Sequence, residues 1–104
     1  MAWVYLIAAG LLEIVWAIGL KYTEGFTKVG PTAITVGAMV ASVVLLGIAL
    51  RDLPVGTGYA IWTGIGTVGT AVLGIMIFHE PATALRLASI GLIIAGIVGL
   101  KLVS

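Results

Sequence analysis

Residues 32–50 read TAITVGAMVASVVLLGIAL, a run without a single charged residue that closes at Arg51-Asp52. Wound as a helix at 1.5 Å per residue, it is about 28 Å long, close to the roughly 30 Å hydrocarbon core of a bilayer. Backbone groups in lipid find no water, so their hydrogen bonds have to close within the segment, which makes it a helix and not a strand. Outward from this run the pattern recurs. Residues 2–20 are apolar except for Glu13 and end at Lys21-Tyr22-Thr23-Glu24, and residues 57–78 are uncharged up to His79-Glu80-Pro81. Residues 87–100 are apolar between Arg86 and Lys101, whose long side chains can snorkel from the two ends of a helix. Breakers fall where turns are needed, at Gly30-Pro31, Pro54-Val55-Gly56 and Pro81, and Pro31 suits a helix start, where its missing N–H costs nothing.

These runs predict an all-α fold, one domain over residues 1–104 with transmembrane helices at 2–20, 32–50, 57–78 and 85–103. Short loops make it an up-down-up-down bundle with both termini on one side. So thin a bundle has little interior, and self-association is the default expectation.

Composition points the same way. Of 104 residues, 62% are hydrophobic and 9% charged, whereas a soluble domain carries about a quarter charged residues. A mean hydropathy of +1.29 leaves too little polar surface for a water-soluble globule. The absence of cysteine excludes disulfides and thiolate metal sites, and a net charge of +1 gives no electrostatic case for nucleic acid. The start, Met1-Ala2-Trp3-Val4-Tyr5, lacks the basic residues of a signal peptide, so the N-terminus is expected to be mature structure. Lys/Arg is nearly balanced, with Arg51 and Lys101 on one side against Lys21, Lys28 and Arg86 on the other. Orientation follows a cytoplasmic Lys/Arg excess, so a difference of one residue leaves two readings open, insertion both ways round or a single topology fixed by loop details.

Fifteen glycines in an apolar chain suggest close helix packing. Gly91, Ala95 and Gly99 recur every four residues, a small-residue stripe that suits a helix–helix seam, within one chain or between subunits. Gly64-Ile65-Gly66-Thr67-Val68-Gly69 spells G-x-G-x-x-G, but a dinucleotide fingerprint needs a preceding strand and a βαβ unit, and neither fits here. Gly64 and Gly66 are better read as a hinge in the third helix. No cofactor is expected.

Glu13 lies eleven residues past Ala2, which puts it about 16 Å into the bilayer, near the midplane. A carboxylate there is costly and functional by default; the plainer alternative is a protonated, hydrogen-bonded structural Glu. Desolvation disfavours its charged form, so it is expected to take up and release a proton near neutral pH. Trp16 is one turn on and shares its face. Tyr59 and Trp62 share a face of the third helix, and Ser42 is the most central hydroxyl of the second. Indole faces attract cations, so the set describes a small negative cavity with aromatic walls and a compact cation as ligand. Core filling explains either deep tryptophan alone, but not the set with an acid. A group that binds either a proton or a cation exchanges one for the other, which is the basis of antiport. His79 and Glu80 have no further ligands for a metal nearby and read as a solvated loop, while the lysines and arginines read as interfacial anchors.

Three stretches, residues 13–22 (EIVWAIGLKY), 25–27 (GFT) and 53–66 (LPVGTGYAIWTGIG), resemble the small multidrug resistance family, over essentially the whole chain. Trp16 after Glu13, and Trp62-Thr63-Gly64, look like its guanidinium-exporter subtype. The resemblance implies a multi-pass protein of the inner (plasma) membrane, an antiparallel homodimer, and proton-coupled export of guanidinium or small guanidinyl cations. It implies that two copies of Glu13 share one site and bind substrate or protons. Trp16 would pack beside Glu13, and Ser42 would hydrogen-bond and orient it. Tyr59 and Trp62 would line the pocket, Gly64 to Gly66 would hinge, and the fourth helices, through Gly91, Ala95, Gly96 and Gly99, would form much of the dimer contact. Guanidinium suits such a site independently: it is planar, gives a carboxylate two parallel N–H bonds, and stacks on indole.

Two other readings compete. One is a broad exporter of quaternary ammonium cations in the same family. The other, from a different class, is a membrane assembly or proteolipid subunit, although that type is usually a helical hairpin. With no nucleophile–base pair or metal cluster to draw, an enzyme is not expected.

Overall fold

The computed structural model describes residues 1–103. It contains α1 (Ala2–Tyr22), α2 (Val29–Ala49), α3 (Val55–Ile77) and α4 (Ala84–Leu102), all four long and apolar enough to cross a membrane. At 19 to 23 residues they are about 28 to 34 Å long. The all-α, four-span reading of the sequence therefore holds.

The turns follow from local chemistry. Thr23 closes α1: its buried hydroxyl donates to the Leu20 carbonyl at 2.7 Å and accepts from the Phe26 amide at 3.2 Å. The chain then passes through the left-handed region at Glu24, Gly25 (φ 72°) and Phe26, a conformation that only the glycine adopts without strain. Pro31 sits inside the first turn of α2 rather than before it, where a helix still has no use for its missing donor. Thr83 caps α4 by accepting from the Arg86 amide.

In space α1 is central, with α2 on one side and α3 on the other, and α4 packs on α3. The result is a flattened bundle, 41 × 35 × 16 Å. Close approaches of α1 to α3 run through glycine: a Cβ at Gly10 would press into Ile65, and one at Gly69 into Ile14. Gly64 likewise admits Ile97 of α4. α3 is unbroken helix through Gly64 and Gly66, so in this structure both glycines serve close packing.

The two halves of the bundle differ. The half that holds the chain's start packs Leu6 and Ala9 of α1, Leu46 and Ala49 of α2, and Ile61 and Trp62 of α3 into one core. Ser42, fully buried, ties these helices together: its hydroxyl donates to the Ala9 carbonyl at 2.6 Å and accepts from Trp62 Nε1 at 3.0 Å. Toward the other end α1 and α3 leave a cleft between them. Gly91, Ala95, Gly96 and Gly99 of α4 are exposed, and a Cβ on any of those three glycines would meet nothing.

Candidate cation site

The cleft has a volume of about 480 Å³, with Glu13, Trp16, Ala17, Thr67 and Thr70 in its depth and Phe78, Glu80 and Arg86 toward its mouth. Glu13 stands in the middle of α1, at the boundary between the closed half and the cleft. Its carboxyl lies against Gly66, where any Cβ would collide with it, so glycine there makes the seat.

Glu13 Oε1 is buried and has no hydrogen-bond partner, and the same holds for Trp16 Nε1 and the Thr70 hydroxyl. An unpaired buried polar group costs about 1–3 kcal/mol, more when charged. In this cleft Glu13 and Thr70 have free capacity to accept a hydrogen bond, and Thr70 and Trp16 have free capacity to donate one.

The structure divides the sequence-predicted set. Glu13 and Trp16 share the cleft. Ser42 and Trp62 lie in the closed half, bonded to one another, and Tyr59 is 55% exposed with its ring 5.4 Å from that of Trp62. Trp16 connects the groups by packing against the core that contains Trp62. Direct orientation of Glu13 by Ser42 is not what is found, because the hydroxyl's single proton goes to the Ala9 carbonyl. That carbonyl is also the helical acceptor for the Glu13 amide, four residues on. Ser42 therefore holds the turn that carries Glu13 rather than its carboxyl.

Sequence reasoning missed Thr67, Thr70, Glu80 and Arg86 as lining residues. Glu80 and Arg86, read there as a solvated loop and an anchor, form an ion pair of 2.9 Å at the cleft mouth. The signal that could have found the threonines is helical spacing, since Gly66, Thr67, Thr70 and Gly74 fall on one side of α3. At the same mouth Lys21 Nζ lies 4.6 Å from the centre of the Phe78 ring.

The family described as Small Multidrug Resistance protein matches residues 1–93 of this sequence. The chain belongs to the small multidrug resistance family. Among its relatives, the "Guanidinium exporter" of Citrobacter freundii is 60% identical over 102 residues, 98% of this chain and 97% of that protein. The "Guanidinium exporter" of Yersinia pseudotuberculosis serotype I (strain IP32953) is 60% identical over 104 residues and covers both chains fully. As a small multidrug resistance protein with four spans, the chain is a multi-pass protein of the inner membrane.

Proposed function

We propose that this protein exports guanidinium and small guanidinyl cations in exchange for protons, with substrate and proton competing for Glu13. The observation that carries the reading is the Glu13 carboxyl at mid-span, seated over Gly66 in an open cleft with no protein donor on its buried oxygen. The names of the 60% identical relatives supply the substrate class. Ionised Glu13 accepts two parallel N–H bonds from the planar cation, and the Trp16 indole offers its face. Protonated Glu13 accepts neither the charge nor the bonds. Loading one ligand therefore expels the other, which couples the two fluxes.

Alternating access fits an antiparallel homodimer. In such a pair the closed half of one copy stands beside the cleft of the other, so exchanging the two conformations moves the opening across the membrane. The exposed small-residue face of α4 suits that contact, with Gly91, Ala95, Gly96 and Gly99 letting two backbones approach. Gly64 and Gly66 are the positions where α3 would flex, and Tyr59 and Trp62, on the same helix, would move with it. The near balance of Lys and Arg between the two ends suits insertion in both directions.

Guanidinium uptake into proteoliposomes, driven by a pH gradient, tests the reading. The native protein should carry flux and Glu13→Gln should fall to the protein-free background. Flux of a tetra-alkyl ammonium in place of guanidinium would make the protein a multidrug exporter, and flux of neither would favour an assembly subunit.

A further inference from the structure

The cleft holds a second carboxylate, and its partner is the same chemical group as the proposed substrate. Glu80 follows the end of α3, and Arg86 Nη2 donates to its Oε1 at 2.9 Å across the 78–83 turn. Both residues line the cleft that has Glu13 in its depth. The two carboxyls are seated alike, Glu13 over Gly66 and Glu80 over Gly74, at positions where a Cβ would collide with them. Eight residues of α3 separate the seats, about 12 Å along the helix. The cleft is therefore a trough with one carboxylate at its deep end and one at its mouth.

Arg86 is held loosely. A guanidinium can give a carboxylate two parallel bonds, but this one gives a single bond. Its Nε is buried without an acceptor, and the two side chains of the pair remain 40% and 39% exposed. Ion pairs this open contribute little and exchange readily. Nor does the turn need the pair as a staple. The Thr83 hydroxyl accepts from the Arg86 amide, the Leu87 amide donates to the Thr83 carbonyl, and the Glu80 amide donates to the Gly74 carbonyl.

We propose that Glu80 is a second guanidinium-binding carboxylate at the cleft mouth, and that Arg86 is a tethered occupant which the travelling cation displaces. The inference rests on the guanidinium-export reading. Lys21 and Arg86 put two positive charges at the mouth, an arrangement that alone repels a cation. Lys21 is turned over the Phe78 ring and Arg86 is neutralised by Glu80. A substrate guanidinium takes over the bond to Glu80, Arg86 snorkels into water, and the cation then has Glu13 ahead of it.

The gate and a plain structural staple differ in sign. If the pair only braces the turn, removing either partner harms transport alike. If it is a gate, Glu80→Gln removes the docking group and leaves Arg86 as a bare repelling charge, whereas Arg86→Gln removes the competitor and keeps the docking group. The test is guanidinium flux in proteoliposomes at graded concentrations for the native protein and both variants, repeated at low and high salt. Glu80→Gln should raise KM by roughly fivefold, the scale of one partly exposed charge pair, and high salt should shrink the increase. Arg86→Gln should lower KM by a similar factor, a gain that misfolding cannot produce. KM raised by both variants, or moved by neither, overturns the gate while native flux upholds the export reading. Absence of native flux removes both.

Discussion

The two halves of this bundle use the same helices to opposite ends. In the closed half, α1, α2 and α3 bury Leu6, Ala9, Leu46, Ala49, Ile61 and Trp62 together, and the buried Ser42 hydroxyl has both a donor and an acceptor partner. In the open half, α1 and α3 line a cleft where Glu13, Trp16 and Thr70 keep buried polar atoms without partners. The Ser42 hydroxyl is satisfied where it ties helices together, whereas the Glu13 carboxyl keeps an unpaired oxygen at the cleft. Glu13 stands at the border, its carboxyl in the cleft and its amide in the turn that Ser42 secures.

The largest effect that would blur this contrast is expected from Gly66→Val, which fills the Glu13 seat. A displacement of the carboxyl by about 1 Å is enough to cost on the order of a hundredfold in turnover, read as guanidinium flux at fixed protein content. Unchanged flux would show that the seat is not needed.

Ser42→Ala attacks the other half. It leaves Trp62 Nε1 buried without an acceptor and removes the second bond to the Ala9 carbonyl, which keeps its helical one. A loss of about 1 kcal/mol is expected, the scale of hydrogen bonds between membrane helices, visible as a lower midpoint of unfolding in detergent. The flux defect should be smaller than that of Gly66→Val, because the carboxyl keeps its seat.

The smallest effect belongs to Gly37→Ala. On the outer side of α2 its new Cβ meets nothing, so a slight gain of about 0.5 kcal/mol from helix propensity is expected in the same unfolding measurement. A clear loss would mean that this surface packs against another chain rather than lipid.

How much of this was legible in the sequence differs between the halves. The spans were legible because lipid forces every backbone bond into the segment, so charge-free runs such as 32–50 announce helices. Glu13 and Trp16 were legible because an acid at mid-span has few structural uses and one turn of helix fixes its neighbour. The bonding of Ser42 was not, because a hydroxyl's choice between a nearby carboxyl and a nearby backbone carbonyl depends on fractions of an ångström. Glu80 and Arg86 were hidden for another reason: residues beside Pro81 look solvated until the turn folds back over Gly74. Gly64 and Gly66, read as a hinge, also carry close contacts to Ile97 and Glu13 that a linear pattern does not distinguish from flexibility.

The central claim is that one carboxyl, Glu13, serves both proton and guanidinium. The most direct measurement is proton release on adding guanidinium to the purified protein in weakly buffered detergent, across a range of pH. At acid pH each guanidinium bound should release close to one proton, and the release should fall through neutral pH toward none at alkaline pH, where Glu13 is already ionised. Guanidinium affinity should weaken as pH falls, and Glu13→Gln should neither release protons nor bind. Binding without proton release at any pH, or undiminished binding by Glu13→Gln, would contradict the account.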